Sequence, residues 1–222
     1  MGLYRYRIQD EGFDPFKEYE FFFQSFLYYA AETNKFIQRE IENERARYEE
    51  YMRLAVDDPD EIREDFMYEL DLKTKEGMAD IYFDSLIIAL YSFIEKKMLQ
   101  LCRYFETRQA FKVNEILGDG ILKYRKYLER AANMDFVEIK EEWEQLTHFK
   151  KMRNILVHSD GVRIIPANEK GLILFLKGQP GIKLVESPDG TVFHFEDAGL
   201  IFYFHRCSKF IVNYLFHEKV PW

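Results

Sequence analysis

The stretch from Lys150 to Gly161 reads K-K-M-R-N-I-L-V-H-S-D-G, and the fold is read outward from it. Phe149, Met152, Leu156 and Val157 keep a helical apolar rhythm, and Ser159-Asp160-Gly161 breaks it, so a helix ends here. Asn154 and His158 stand four apart and share one helical face. Arg153 follows Phe149 by four residues and Leu146 by seven. It therefore leaves the helix at the edge of the apolar stripe, where a guanidinium needs an anion or hydrogen-bond acceptors.

Upstream, the spacing predicts that this helix starts near Phe136, on the spine Ile139, Trp143, Leu146, Phe149, Met152 and Leu156. An N-M-D turn at Asn133–Asp135 separates it from a helix over about Ile121–Ala132, and Gly118-Asp119-Gly120 is a loop. Before that, a long helix runs from about Met78 to Arg108 on the spine Ile87, Leu90, Tyr91, Ile94, Met98, Leu101 and Phe105. A second line on it, Ile88, Ser92, Glu95, Leu99 and Cys102, places Glu95 between apolar neighbours. Glu95 then either reaches water from the stripe edge or is partly buried and held by a cation such as Arg153. Ser92 shares that face and counts with Glu95 as a supporting position.

The N-terminal 77 residues read as a helical extension. One short strand is expected around Leu3–Ile8. Asp14-Pro15 opens a long helix, an N-cap followed by proline in the first turn, and the helix turns charge-rich from Gln38 to Arg53. Asp57-Asp58-Pro59 is a break, and a short helix over about Pro59–Leu70 follows. After Gly161 the period changes. V-R-I-I-P, G-L-I-L-F-L, G-I-K-L-V-E and T-V-F-H-F read as strands, with a turn at Ser187-Pro188-Asp189-Gly190. A last helix, Ala198–His217, closes the chain. The expected layout is an N-terminal helical extension (1–77), a helical core (78–161), a β-sheet insertion (162–195) and a C-terminal helix completing the bundle (196–222), all packed as one unit. The fold class is mainly α, an antiparallel helical bundle with a small antiparallel β-sheet near the C-terminus.

A long helix, a loop, a short helix and a helix ending in R-N-x3-H resembles the HEPN family, whose signature is R-x4-H. The likeness covers about Met78–Gly161, and S-L-I-I-A-L-Y-S-F-I-E-K-K-M-L-Q-L-C resembles the helix that begins many HEPN cores. It implies a metal-independent endoribonuclease of the toxin or phage-defence kind, working as a homodimer in which two motifs meet at one RNA phosphate. Arg153 would hold the phosphate, His158 would carry protons, and Asn154 would orient the histidine or touch the phosphate. One branch of the family carries H-x-Y with a tyrosine that is AMPylated; here that position is Asp160. The alternative within the resemblance is a noncatalytic dimeric scaffold for RNA, a nucleotide or a protein partner such as an antitoxin or a defence-complex subunit.

Composition bounds these readings. The 222-residue chain has a net charge of −8, so any RNA site must be a local basic pocket rather than a basic coat. Its 21 Phe and 15 Tyr require extensive burial in a core or an interface. Cys102 and Cys207 fall on apolar patterns and read as buried thiols of a reducing compartment. His148, His194, His205 and His217 show no zinc spacing, and no phosphate-loop, dinucleotide or G-x-S-x-G pattern occurs. The apolar run Phe21–Ala31 is too short to span a bilayer. No cofactor, no metal and no membrane contact are expected, and the cytoplasm is the expected compartment.

Overall fold

A computed structural model describes residues 15–54, 61–158 and 163–218. The elements are α1 (Pro15–Leu54), α2 (Glu61–Glu106), α3 (Gly120–Ala131), α4 (Lys140–His158), β1 (Ile164–Ile165), α5 (Lys170–Lys177), β2 (Ile182–Ser187), β3 (Gly190–Phe195) and α6 (Gly199–Asn213), with a π turn at Tyr214–Glu218. The expected strand at Leu3–Ile8 and the helix stop at Ser159-Asp160-Gly161 lie outside the described residues.

The predicted spine of α2 is the core of the protein. Ile87, Leu90, Ile94 and Met98 are fully buried, and Tyr91, Leu101 and Phe105 join them. Around this spine α2 packs on α1, α3, α4 and α6 and touches β3. The Met67–Glu106 part of α2 is long and apolar enough to cross a membrane. Here its most apolar positions meet neighbouring helices, as a helix apolar on several faces must in a packed core. Aromatic contacts fix the neighbours: Phe22 of α1 stacks on Phe93 of α2 at 3.7 Å, and Phe149 of α4 stacks on Phe204 of α6 at 3.6 Å. Tyr19 donates to Asn213 (2.7 Å), and Tyr82 donates to the Ala30 carbonyl (2.7 Å), tying α1 to α6 and to α2. At the end of α3, Asn133 takes a left-handed conformation (φ 51°), while the Ala132 and Met134 amides both donate to the Leu128 carbonyl. That turns the chain into α4.

Two sequence expectations are corrected. The helix read from Met78 begins at Glu61, so the boundary between an N-terminal extension and a core at 77/78 falls inside one continuous α2. Gly77 sits in the helix where an added Cβ would meet nothing within 4 Å; a helical glycine costs about 1 kcal/mol, too little to end a helix that is held by packing. The stretch G-L-I-L-F-L is not a strand but α5. A strand would place Leu172, Leu174 and Leu176 on one face, whereas Leu172 and Leu176 are buried and Leu174 is 74% exposed, the i,i+4 pattern of a helix. The insertion therefore holds a helix as well as a sheet, and β1 is only two residues long because Pro166 has no amide to extend it.

The sheet is antiparallel, in the order β1-β3-β2. Ser187 pairs with Gly190 around the predicted Pro188-Asp189 turn, and Leu184 pairs with Phe193. Gly190 (φ 143°) lies against the β1 backbone, where a Cβ would collide with the Ile165 carbonyl.

Arg163 fastens this sheet to α2. It is only 7% exposed, donates from Nε to Asp84 (2.9 Å), reaches Asp80 from Nη1 (2.7 Å), and lies over the Phe195 ring at 5.3 Å. Burial opposes its charge, and the hydrogen bonds it donates to Asp84 and Asp80 outweigh burial, so the guanidinium is held firmly protonated. Burial also lifts the Asp84 carboxyl above the usual carboxylate range, with Arg163 pulling it back. Contacts of 2.7–2.9 Å join both aspartates to this permanent cation. Replacing Arg163 by Met should cost roughly 3 kcal/mol, the lower end for breaking a buried pair, because both aspartates keep some contact with water. Urea unfolding measures this. Asp84→Asn should cost more than Asp80→Asn, since Asp80 is the more exposed partner. A loss below about 1 kcal/mol for Arg163→Met would show that the pair does not anchor the sheet.

Candidate functional site

The residues singled out in the sequence lie where the second half of α4 crosses the middle of α2 and the start of α3. The α2–α4 contact follows from the two apolar spines, and it brings the polar residues beside those spines into one cluster. Tyr91 and Glu95 come from α2, Asp119 and Gly120 from the start of α3, and Lys150, Arg153 and Asn154 from α4.

Arg153 is half-buried. Its Nη1 donates to Asn154 Oδ1 at 3.1 Å; among the described residues its buried Nε has no hydrogen-bond partner and no carboxylate lies within 4.0 Å of it. Glu95 is also half-buried, yet it does not close an ion pair with Arg153. Its carboxylate sits against Gly120, whose positive φ (50°) and missing side chain make room for it; a Cβ there would overlap Glu95 Oε1. Burial raises the Glu95 pKa, Arg153 and Lys150 pull it down, Asp119 pushes it up, and the net direction is up. Of the two sequence readings of Glu95, this geometry is partly buried and within the field of Arg153, without direct contact. Tyr91 Oη is buried and, among the described residues, unpartnered; burial, then Glu95, raises its pKa. Lys150 reaches Asp119 at 3.3 Å while its side chain stays only 16% exposed. The cluster therefore holds two cations and two carboxylates, with donor capacity left over on Arg153.

His158 is exposed at the last described residue of α4. Five residues along a helix rotate by about 140° and rise about 7.5 Å. Arg153 faces α2 while His158 points elsewhere, so one chain does not bring the two side chains together. Asn154 is exposed on the face of His158. Ser92 is exposed on α2 and does not enter the cluster. Lys150, Tyr91 and Gly120 belong to it and were not singled out from the sequence. Lys150 was quoted within the motif, but its apolar neighbours gave no sign that it would fold back onto Asp119.

The other histidines are dispersed. His148 stacks on Phe175, His194 is exposed on β3, and His205 is buried between Phe23 and Phe26, where burial lowers its pKa. Burial pushes the Cys102 and Cys207 thiols up to about 12 each, which leaves them unreactive. Among the described residues no group of three His, Cys, Asp or Glu is placed to hold a metal ion. Comparison of the chain with protein-family models, with curated proteins and with solved structures finds no match.

The position of Glu95 generates a test. A carboxyl whose folded pKa lies above its unfolded value contributes most stability below the unfolded pKa, and that contribution is lost as pH rises through the folded pKa. Glu95→Gln removes this titration and keeps the shape. The variant's melting temperature, measured from pH 4 to pH 8, should gain on the wild type as pH rises through that window and then level off. A variant that instead loses ground toward neutral pH would mean that Glu95 acts as a stabilising ion-pair partner of Arg153.

Proposed function

We propose that the protein is a HEPN-type, metal-independent endoribonuclease, of the toxin or phage-defence kind, that cuts RNA at a site built by two copies of the chain. The observation that carries this reading is the state of Arg153: positioned by Asn154, half-buried, and not neutralised by a carboxylate within 4.0 Å among the described residues. A guanidinium kept in place with donors to spare is suited to an oxyanion. The exposed His158, about one and a half turns further on, supplies an imidazole for the proton transfers.

The chemistry needs three roles. A base removes the proton of a 2′-hydroxyl, whose oxygen attacks the adjacent phosphorus. A cation stabilises the crowded phosphorane, and an acid protonates the departing 5′-oxygen as the P–O5′ bond breaks. In the proposed site His158 of one copy acts as base and His158 of the other as acid, while the Arg153 side chains hold the phosphate oxygens. Lys150 adds positive field beside Arg153. The divergence of Arg153 and His158 around α4 is the reason that two copies are required.

The same divergence supports the second reading. If the protein does not pair, Arg153 and His158 stay apart, and a noncatalytic scaffold for RNA, a nucleotide or a protein partner fits better. Light scattering separates the two: the nuclease reading expects a dimer at micromolar concentration, and a stable monomer counts against it.

On the nuclease reading His158→Ala should reduce RNA cleavage by about 10²–10⁴-fold with the melting temperature unchanged, since His158 is exposed. Arg153→Ala should cost about 10²–10³-fold, and Arg153→Lys should recover part of that, because a lysine keeps the charge but not the bidentate geometry. A gel assay on a mixed-sequence RNA measures the rates. Wild-type cleavage by folded His158→Ala would remove His158 from the site.

A further inference from the structure

The first half of α4 lies away from the Arg153 cluster, flanked by α5 on one side and α6 on the other. Two adjoining hollows open there, of about 320 Å³ and 210 Å³, and Gln145 lines both. Aromatic rings run beneath them: His148 stacks on Phe175 at 4.7 Å, and Phe175 lies 6.3 Å from Tyr203. Burial, and then Lys151, lowers the His148 pKa. Leu174 on α5 is 74% exposed and Phe210 on α6 is 49% exposed. Single exposed apolar residues are ordinary, but these two stand at the hollows from opposite sides of α4.

The rim is acidic. Glu141 and Glu144 border the first hollow and Glu142 borders the second. Arg206 is the one cation among the described lining residues, and it lies over the Tyr203 ring at 5.6 Å. Lys151, next along α4, is engaged by Glu169 at 2.5 Å.

We infer that this α4–α5–α6 face is a docking groove for a basic, partly apolar peptide segment of a partner protein. Charge complementarity identifies the occupant. Carboxylates along the rim oppose a phosphate backbone, which excludes RNA as the natural ligand of this face. A second copy of the chain meeting it across a two-fold axis would set these carboxylates against themselves. An arginine or lysine side chain, by contrast, lies over the rings by cation–π attraction and reaches the rim carboxylates with its charged end. Aliphatic neighbours in the segment cover Leu174 and Phe210, giving the apolar centre and charged edge of a protein interface. The groove is independent of the Arg153–His158 reading and is retained if that reading fails.

The test uses the full chain and a random 12-residue peptide display library. Enriched peptides are synthesised with a fluorophore, and their affinities are measured by anisotropy. Peptides carrying Arg or Lys beside aliphatic residues should be enriched. Their affinity should fall at least tenfold on the double variant Glu141→Lys/Glu144→Lys and on Leu174→Asp. These positions are exposed, and circular dichroism checks that each variant keeps its fold. His158→Ala should leave the affinity unchanged, and an unrelated single-stranded RNA should not displace the peptides. No enrichment, peptides without net positive charge, or equal binding to both variants overturns the inference. Displacement by RNA would assign the face to nucleic acid and overturn it as well.

Discussion

Burial of α2 is the constraint on which the rest of the structure depends. A helix of 46 residues with a fully buried stripe at Ile87, Leu90, Ile94 and Met98 must be covered on several sides. α1, α3, α4 and α6 supply that cover. Once α4 lies against α2, Glu95 and Tyr91 must share a space with Arg153 and Lys150, because these residues border the same apolar stripes. The polar cluster is thus a by-product of packing, and burying polar groups without matching partners is costly. Among the described residues, the Arg153 Nε and the Tyr91 hydroxyl are buried without a partner. Such groups concentrate where a ligand completes the hydrogen bonding, and this is the physical ground for placing function there.

The sheet depends on the same helix in another way. Its three strands are too few and too short to stand alone. Phe193 and Phe195 press onto the core, with Phe195 5.2 Å from Phe83 of α2, and Arg163 is bound by two aspartates one turn apart on α2. This anchor sits five residues after His158 in the sequence.

Much of the helical frame was legible in the sequence because apolar period and turn chemistry agree along it. The α2 spine, the turn at Asn133 and the closing helix follow from residues a few positions apart. The failures have a common cause in long-range packing. Nothing near G-L-I-L-F-L tells a helix from a strand, since a short apolar run fits either, and only its place between α4 and β2 decides. The sequence reads as starting α2 only at about Met78 because local pattern could not show that α1 packs on α2 both before and after Gly77. Arg163 was invisible as an anchor because its partners Asp80 and Asp84 precede it by some eighty residues, on another element. The site was legible to the same degree. The Arg153, Asn154 and His158 spacing could be read directly, and Glu95 could be narrowed to two readings. The parts played by Gly120 and Tyr91 appear only when α3 and α4 close on α2. Ser92, four and three residues from its neighbours on an apolar line, was placed with Glu95, yet the line runs along the margin of the buried face and Ser92 falls on its outer side.

The central claim is that the two Arg153–His158 motifs cleave RNA through its own 2′-hydroxyl. The most direct measurement is the chemistry of the product ends. Purified protein is incubated with a defined RNA in EDTA, and the fragments are analysed by mass spectrometry. Fragments ending in 2′,3′-cyclic phosphate and 5′-hydroxyl, formed at the same rate with and without EDTA and absent with His158→Ala, are the predicted result. Fragments with 5′-phosphate and 3′-hydroxyl ends, or cleavage abolished by EDTA and restored by a divalent ion, would contradict it.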